Sequence, residues 1–215
     1  MKTENRSTLH EELKAQTIEL HKKAHTIPYI SNLLNNDIQL NSYIGHVHAF
    51  SIIYEELEKQ ILNPKNEVTS GFLENYSSRV PLLQADLEYL KAMDAGVNKP
   101  EINHAKNVAN KILLYSKTSP YKLLGFIYTL DGSLNGGSIL RQHLIKTFQF
   151  ENNRGTMYLS ILDDRFKKYW TAFIHNLNSK ITENQHKHDV TSASREIFLD
   201  LIKIYEALLP IDEKQ

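Results

Sequence analysis

Six residues in one long helical stretch constrain this chain more than any others: Gly132-Ser-Leu-Asn-Gly-Gly137. They lie inside a proline-free run from Tyr121 to Leu209 that otherwise reads as helix. A glycine in a helix interior costs roughly 1 kcal/mol relative to alanine. Three of them within six residues, with Gly125 a little upstream, call for compensation. Either the helix kinks there, or something bulky must come within contact distance of bare backbone. A flat ligand lying across a kinked helix would use both. Spacing alone also allows tight helix–helix packing through small residues, because Gly132 and Gly136 are one turn apart.

The rest of the chain reads as helices. Thr8 and Glu11 form a capping box ahead of Leu9, Leu13, Leu20 and Ala24, a pattern that runs to about His25 before Pro28 stops it. A short helix is expected around Tyr29–Leu34. A strong amphipathic one follows from Asn41 to Ile61, where Ile44, Val47, Phe50, Ile53, Tyr54 and Leu57 recur at three- and four-residue steps. Further helices are expected from Pro81 to Gly96, over Glu101–Ser116, from Pro120 through the glycines to Phe148, over Leu159–Ile181, and from Thr191 to Leu209 before Pro210. A polar spacer, Glu183–Asp189, should precede the last. No sustained period-two alternation appears, so a sheet is not expected. The reading is a single all-α domain, 1–215 with its core at about 8–209, containing seven to nine helices.

Composition narrows the function. Lys+Arg and Asp+Glu are both 25, which gives no basic footprint for nucleic acid. With no cysteine, disulfides and thiolate chemistry are out. No run of eighteen apolar residues and no signal-like apolar segment at the N-terminus points to a cytoplasmic protein without membrane attachment.

Three groups could carry chemistry. On the first helix Lys14, Thr17 or Ile18, His21 and His25 share one face. A neutral imidazole is a good axial ligand for haem iron, and a lysine two turns away could meet the carboxylates at a haem edge. His21 and His25 are also an i, i+4 pair that could chelate one metal ion. A second group is Glu101-x-x-His104, echoed by Glu183-x-x-His186; di-iron bundles use this step, but here both read as solvated surface. The third, His46 and His48, falls on different helix faces and reads as packing or solvent.

With the histidine helix and the glycine helix both in view, the sequence resembles the haem oxygenases. Leu13-Lys-Ala-Gln-Thr-Ile-Glu-Leu-His21 is similar to that family's N-terminal helix, whose pattern ends in the proximal iron ligand. Tyr43–Ile61 looks like its second long helix, and Asp131-Gly132-Ser133 through Gly137 looks like its distal helix, in the Glu-Gly-Ser form of a bacterial branch. Phe166-Lys167-Lys168-Tyr169-Trp170 is similar to the helix that lends basic residues to the haem propionates. The resemblance covers roughly Thr8–Leu209. It implies haem sandwiched between the first helix and the kinked glycine helix. It also implies a reaction in which haem, dioxygen and an external electron donor, such as a reductase or ferredoxin, give biliverdin, ferrous iron and carbon monoxide. By the same resemblance His21 would hold the iron, while Gly132, Gly136 and Gly137 would let backbone lie over the porphyrin. Ser133, Asn135 and Tyr54 would hold water, and Lys14 and Lys167 would meet the propionates. Ser133 stands where many members carry aspartate, His25 where a glutamate is common, and Thr171 where some members carry a propionate-binding arginine. Two alternatives stand beside this reading: a haem binder without turnover, and a non-haem metal enzyme of a thiaminase-like or di-iron helical group.

Overall fold

The computed structural model describes residues 7–91, 100–161 and 163–209. The polar first six residues, the expected stop at Gly96 and the break at Pro210 lie outside them. Among the described residues the regular structure is helical, with no strand. Helix α1 (Leu9–Thr26) opens with the capping box, the Thr8 hydroxyl accepting from the Glu11 amide while the Glu11 carboxylate accepts from the Thr8 amide. Pro28 fits the first turn of α2 (Pro28–Leu34), where the missing amide costs nothing. Helices α3 (Leu40–Ile61), α4 (Glu67–Ser70), α5 (Val80–Lys91), α6 (Pro100–Thr118), α7 (Tyr121–Ser133), α8 (Gly137–Phe148), α9 (Asp164–Lys180) and α10 (Asn184–Ala207) follow.

Helix α10 organises the site. It packs along both α7 and α1, and so fixes the two helices that carry the sequence motifs relative to each other. Gly125 makes the α7–α10 contact possible. A Cβ there would come to 2.3 Å from the Val190 carbonyl oxygen and 2.8 Å from the Ser194 nitrogen, both backbone atoms of α10. The small-residue packing that spacing had offered for Gly132 and Gly136 is therefore the work of Gly125. The Thr129 and Ser194 hydroxyls, 2.7 Å apart, close the same junction with a hydrogen bond.

Two boundaries differ from expectation. The 159–181 segment begins as a 3₁₀ turn, Met157–Ser160, and α9 starts only at Asp164, because the Asp163 carboxylate accepts from the Phe166 amide and caps it. The 183–189 spacer is the first two turns of α10: polar residues suit a helix end that projects into solvent, and His186 stacks on Tyr121 with ring centroids 3.6 Å apart. Of the two Glu-x-x-His pairs, the second keeps Glu183 exposed, whereas the first is not solvated surface. Glu101 is buried, against the face of Gly45. Of the His46 and His48 pair, His46 is a packing residue, stacked 4.3 Å from Phe50 with its Nε2 2.7 Å from the Tyr158 hydroxyl.

Candidate functional site

A cleft of about 440 Å³ lies between α1 and the end of α7. From α1 come His10, Lys14, Thr17, Ile18 and His21, one stripe at steps of four, three, one and three residues. Tyr128, Thr129, Gly132 and Ser133 of α7 face them, with Asn135 just beyond. Trp170 of α9 closes one side, and Phe198 of α10 contributes an apolar surface against the His21 ring, 6.1 Å away and edge-on.

The glycine stretch kinks as its composition requires. Helix α7 ends at Ser133, residues Leu134–Gly136 form a 3₁₀ turn, and α8 resumes at Gly137. Two side chains promote the break by bonding their own helix. The Ser133 hydroxyl donates to the Leu130 carbonyl at 2.7 Å, and the Asn135 amide donates to the Gly132 carbonyl at 3.0 Å. The three glycines are not equivalent. Gly132 lines the cleft, and a Cβ there would stand 3.3 Å from the Trp170 ring. At Gly136 a Cβ would meet nothing within 4 Å, so bare backbone faces open space. Gly137 is buried with Leu159 at 3.2 Å, so its lack of a side chain serves packing.

His21 is exposed on the α1 wall. Partial burial, and then the neighbouring His25 ring 4.5 Å away, pull its pKa below the usual histidine value. The imidazole is therefore neutral at pH 7, with a lone pair available to a metal. Lys14 lies in the cleft two turns away. Lys167 does not line it: the side chain is largely exposed and pairs with Asp164 at 3.2 Å.

Tyr54 is also outside the cleft, buried directly behind the glycine helix. Its hydroxyl donates to Asp131 Oδ1 at 3.1 Å, while Tyr169 donates to Oδ2 at 2.7 Å and Arg79 Nη2 to the same oxygen at 3.3 Å. Burial first, and then the Asp131 carboxylate, push both tyrosines far above the ordinary phenol value, so both remain donors. The Arg79 guanidinium also lies over the Tyr76 and Phe166 rings, at 4.8 and 5.3 Å from their centres. A second carboxylate, Glu58, accepts from the Tyr76 and Ser78 hydroxyls and the Arg79 amide. Asp131 precedes Gly132, so this network holds the α7 wall from behind.

Sequence reasoning missed both this network and five cleft residues: His10, Tyr128, Thr129, Trp170 and Phe198. His10 carried a usable signal, since it lies four residues before Lys14 on the stripe already identified. Arg79 carried none, being an isolated loop residue 52 positions from its partner Asp131.

The residues present fit a flat, apolar, acid-bearing ligand with a metal at its centre. One wall offers a neutral imidazole and a lysine. The other offers backbone without side chains, and aromatic rings close the sides. Among the described residues no three His, Cys, Asp or Glu side chains are grouped to hold a bare metal ion. No described helix is long and apolar enough to cross a membrane.

Comparison with known proteins gives the family and the fold. A sequence model of the family described as heme oxygenase matches residues 7–207. Heme oxygenase 1 of Nostoc sp. is 24% identical over 171 residues, covering 77% of this chain and 71% of the relative. The structure of heme oxygenase from Leptospira interrogans superposes with a TM-score of 0.77 at 22% identity, covering 93% of this chain and 99% of that one. Heme oxygenase-1 from the cyanobacterium Synechocystis, solved in complex with heme, gives 0.79 at 18% identity over 94% and 92% of the two chains.

Proposed function

Since the chain belongs to the heme oxygenase family, we propose that it binds haem in the α1–α7 cleft and cleaves it to biliverdin, ferrous iron and carbon monoxide, using dioxygen and an external electron donor such as a reductase or ferredoxin. One observation carries the reading: His21 of α1 and the bare backbone at Gly132 of α7 line the same cleft. When bound, haem supplies both the iron at which dioxygen is reduced and the porphyrin that is oxidised.

The protein's part is positioning. His21 would hold the iron from the α1 side of the cleft. Gly132 leaves the α7 side of the cleft without a side chain there, so a flat ligand could approach backbone; Gly136, bare toward open space, is not among the residues lining the cleft. Ile18, Phe198 and Trp170 would keep water from a group bound in the cleft. Lys14 is placed to meet a carboxylate arm, an ion pair that orients the ring in its plane. The Ser133 hydroxyl, already donating to Leu130, keeps lone pairs for a water in the cleft, and Asn135 keeps a carbonyl oxygen. Tyr54 has its proton committed to Asp131, so it acts on the cleft by holding α7 in place. Such a site works through orientation and ordered water, with no side-chain base reaching the substrate. Cytoplasmic residence accords with this chemistry.

The experiment is direct. Hemin added to the pure protein should give a Soret band and a histidine-ligated ferric spectrum, both absent in His21→Ala. Ascorbate or a reductase in air should then convert the spectrum to that of biliverdin. A Soret band that survives this treatment would sink the oxygenase reading. It would leave the second one, a haem binder without turnover, which one feature of the cleft favours: Ser133 supplies no carboxylate, and among the described residues none lines the cleft.

A further inference from the structure

We propose that Asp86 is a positioning residue for the cleft. Through the Met157–Ser160 turn it sets where α8 leaves the glycine kink, and so where Asn135 stands on the cleft wall. The inference rests on the haem reading for its ligand. It adds to that reading a residue of α5, a helix that supplies none of the described cleft lining.

Asp86 is fully buried on α5 beside the apolar Leu83, Leu87 and Leu90. A carboxylate in such a place is costly unless hydrogen bonds replace water. Its two oxygens accept from the Met157 amide at 2.8 Å and the Tyr158 amide at 2.9 Å, and the Gly155 amide bonds it as well. Burial raises the carboxyl to about 6 against the pull of those amides, so at pH 7 it is charged and accepts at both oxygens. Helix α3 grips the same segment. The Tyr43 hydroxyl donates to the Gly155 carbonyl at 2.6 Å, and the Tyr158 hydroxyl lies 2.7 Å from His46 Nε2. The turn is thus anchored on α3 and α5.

From that anchored turn Leu159 packs on Gly137, the first residue of α8. A Cβ on Gly137 would stand 3.2 Å from Leu159 Cδ2 and 3.8 Å from the Leu159 carbonyl oxygen. The glycine kink therefore has two held ends. Asp131 and its partners hold α7 at one, and Leu159 meets α8 at the other. Only Leu134–Gly136 spans them, and Asn135 at its middle lines the cleft. Close-packed interiors transmit displacement, and so short a span has no slack to absorb one. The opposite end of α8 is tied separately, by His143 and Thr147 to the Asn36 side chain. Loosening the turn thus frees the kink end of α8 first.

The test joins two measurements on Asp86→Asn, Leu159→Ala and the double variant. Asparagine keeps the size of Asp86 but turns an NH2 group toward one of the two amides. In the protein without haem, amide hydrogen exchange in Asp86→Asn should quicken about tenfold or more over residues 134–141, and far less over α6. Soret titration should show hemin binding weakened about fivefold or more in each single variant. The double variant should then lie within about twofold of the weaker single. Additive losses would show that Asp86 does not act through Leu159 and would overturn the proposal. Equal acceleration of exchange in both segments would do the same, as would unchanged hemin affinity in Asp86→Asn, because the carboxylate would then serve the core alone. Should Asp86→Asn not fold, Leu159→Ala carries the test by the same two readouts, and a failure of either overturns the proposal. Failure of the parent to bind hemin would instead overturn the haem reading and the effect claimed on the cleft, while exchange over residues 134–141 would still decide whether Asp86 holds the kink.

Discussion

On the α1 wall of the cleft, Lys14, Ile18 and His21 stand exposed, and the ring contacts of His21 are loose ones with His25 and Phe198. On the α7 wall, the residue just behind Gly132 is buried Asp131, whose carboxylate is shared by Tyr54, Tyr169 and Arg79. The two walls divide the work. The binding groups lie where little else claims them, which leaves lone pairs and charge for a ligand. The wall that must present bare backbone at a fixed height cannot hold itself through side chains on its cleft face, and so it is held from the core. Weakness of local structure at the three-glycine kink is offset by a buried ionic network one residue away.

The largest effect expected from this contrast is on stability. Asp131→Ala leaves the Arg79 guanidinium and two phenol hydroxyls buried without their acceptor. Breaking a buried pair in this way costs about 3–5 kcal/mol. His21→Ala, at an exposed position, should stay within about 0.5 kcal/mol of the parent while abolishing the histidine-ligated haem spectrum. Urea unfolding of the two variants checks both at once. If Asp131→Ala is no more costly than His21→Ala, the network is not what holds the wall.

How far the sequence led divides along the same line. Features written locally were legible: the Thr8–Glu11 capping box, the Pro28 boundary, the 3.6-residue stripe of α3 and the kink at Gly132–Gly137 all came from neighbours within a turn or two. His21 and Lys14 were read from the spacing of one helix, and the structure sets both on the wall of one cleft. What could not be read depends on chain segments that meet only after folding. Arg79 reaches Asp131 across 52 residues, and Gly125 is a glycine because of Val190 on another helix. Glu101 looked like solvent-facing charge and is buried because α6 packs on α3 at Gly45. The polar start of α10 hid a helix, since exposed first turns carry no apolar stripe.

A second pair of sites sharpens the comparison through pH. His21 is exposed, but His46 is fully enclosed, and burial pulls its pKa down to about 3. The folded state thus holds His46 neutral where an unfolded chain would protonate it near 6.5. The resulting stability is complete above about pH 6.5 and falls as pH drops toward 3, by up to about 1.4 kcal/mol per pH unit. Asp86 opposes this. Burial raises its carboxyl to about 6 despite the Tyr158 and Met157 amides that bond it, so its contribution is present at low pH and lost as pH rises from about 4 to 6. The difference between parent and variant isolates the histidine. His46→Phe keeps the stack on Phe50 and cannot titrate, so its unfolding free energy should fall less steeply than the parent's between pH 6 and 4. Identical slopes would mean that His46 is protonated without unfolding.

The smallest effect is the most diagnostic for the bare wall, because stability and binding should move in opposite directions. Gly136 has φ −86° and ψ −7°, a conformation alanine adopts freely, and a Cβ there meets nothing within 4 Å. Gly136→Ala should therefore stabilise the free protein by about 0.4–1 kcal/mol, chiefly by restricting the unfolded chain. A glycine kept only for packing would show the reverse, as Gly125 must, with backbone atoms of α10 at contact distance. If Gly136 is bare because a porphyrin lies against it, the same methyl that raises the unfolding midpoint will lower hemin affinity. A gain in stability with hemin affinity unchanged would confine the bare wall to Gly132, where Trp170 already limits how close a ligand can come.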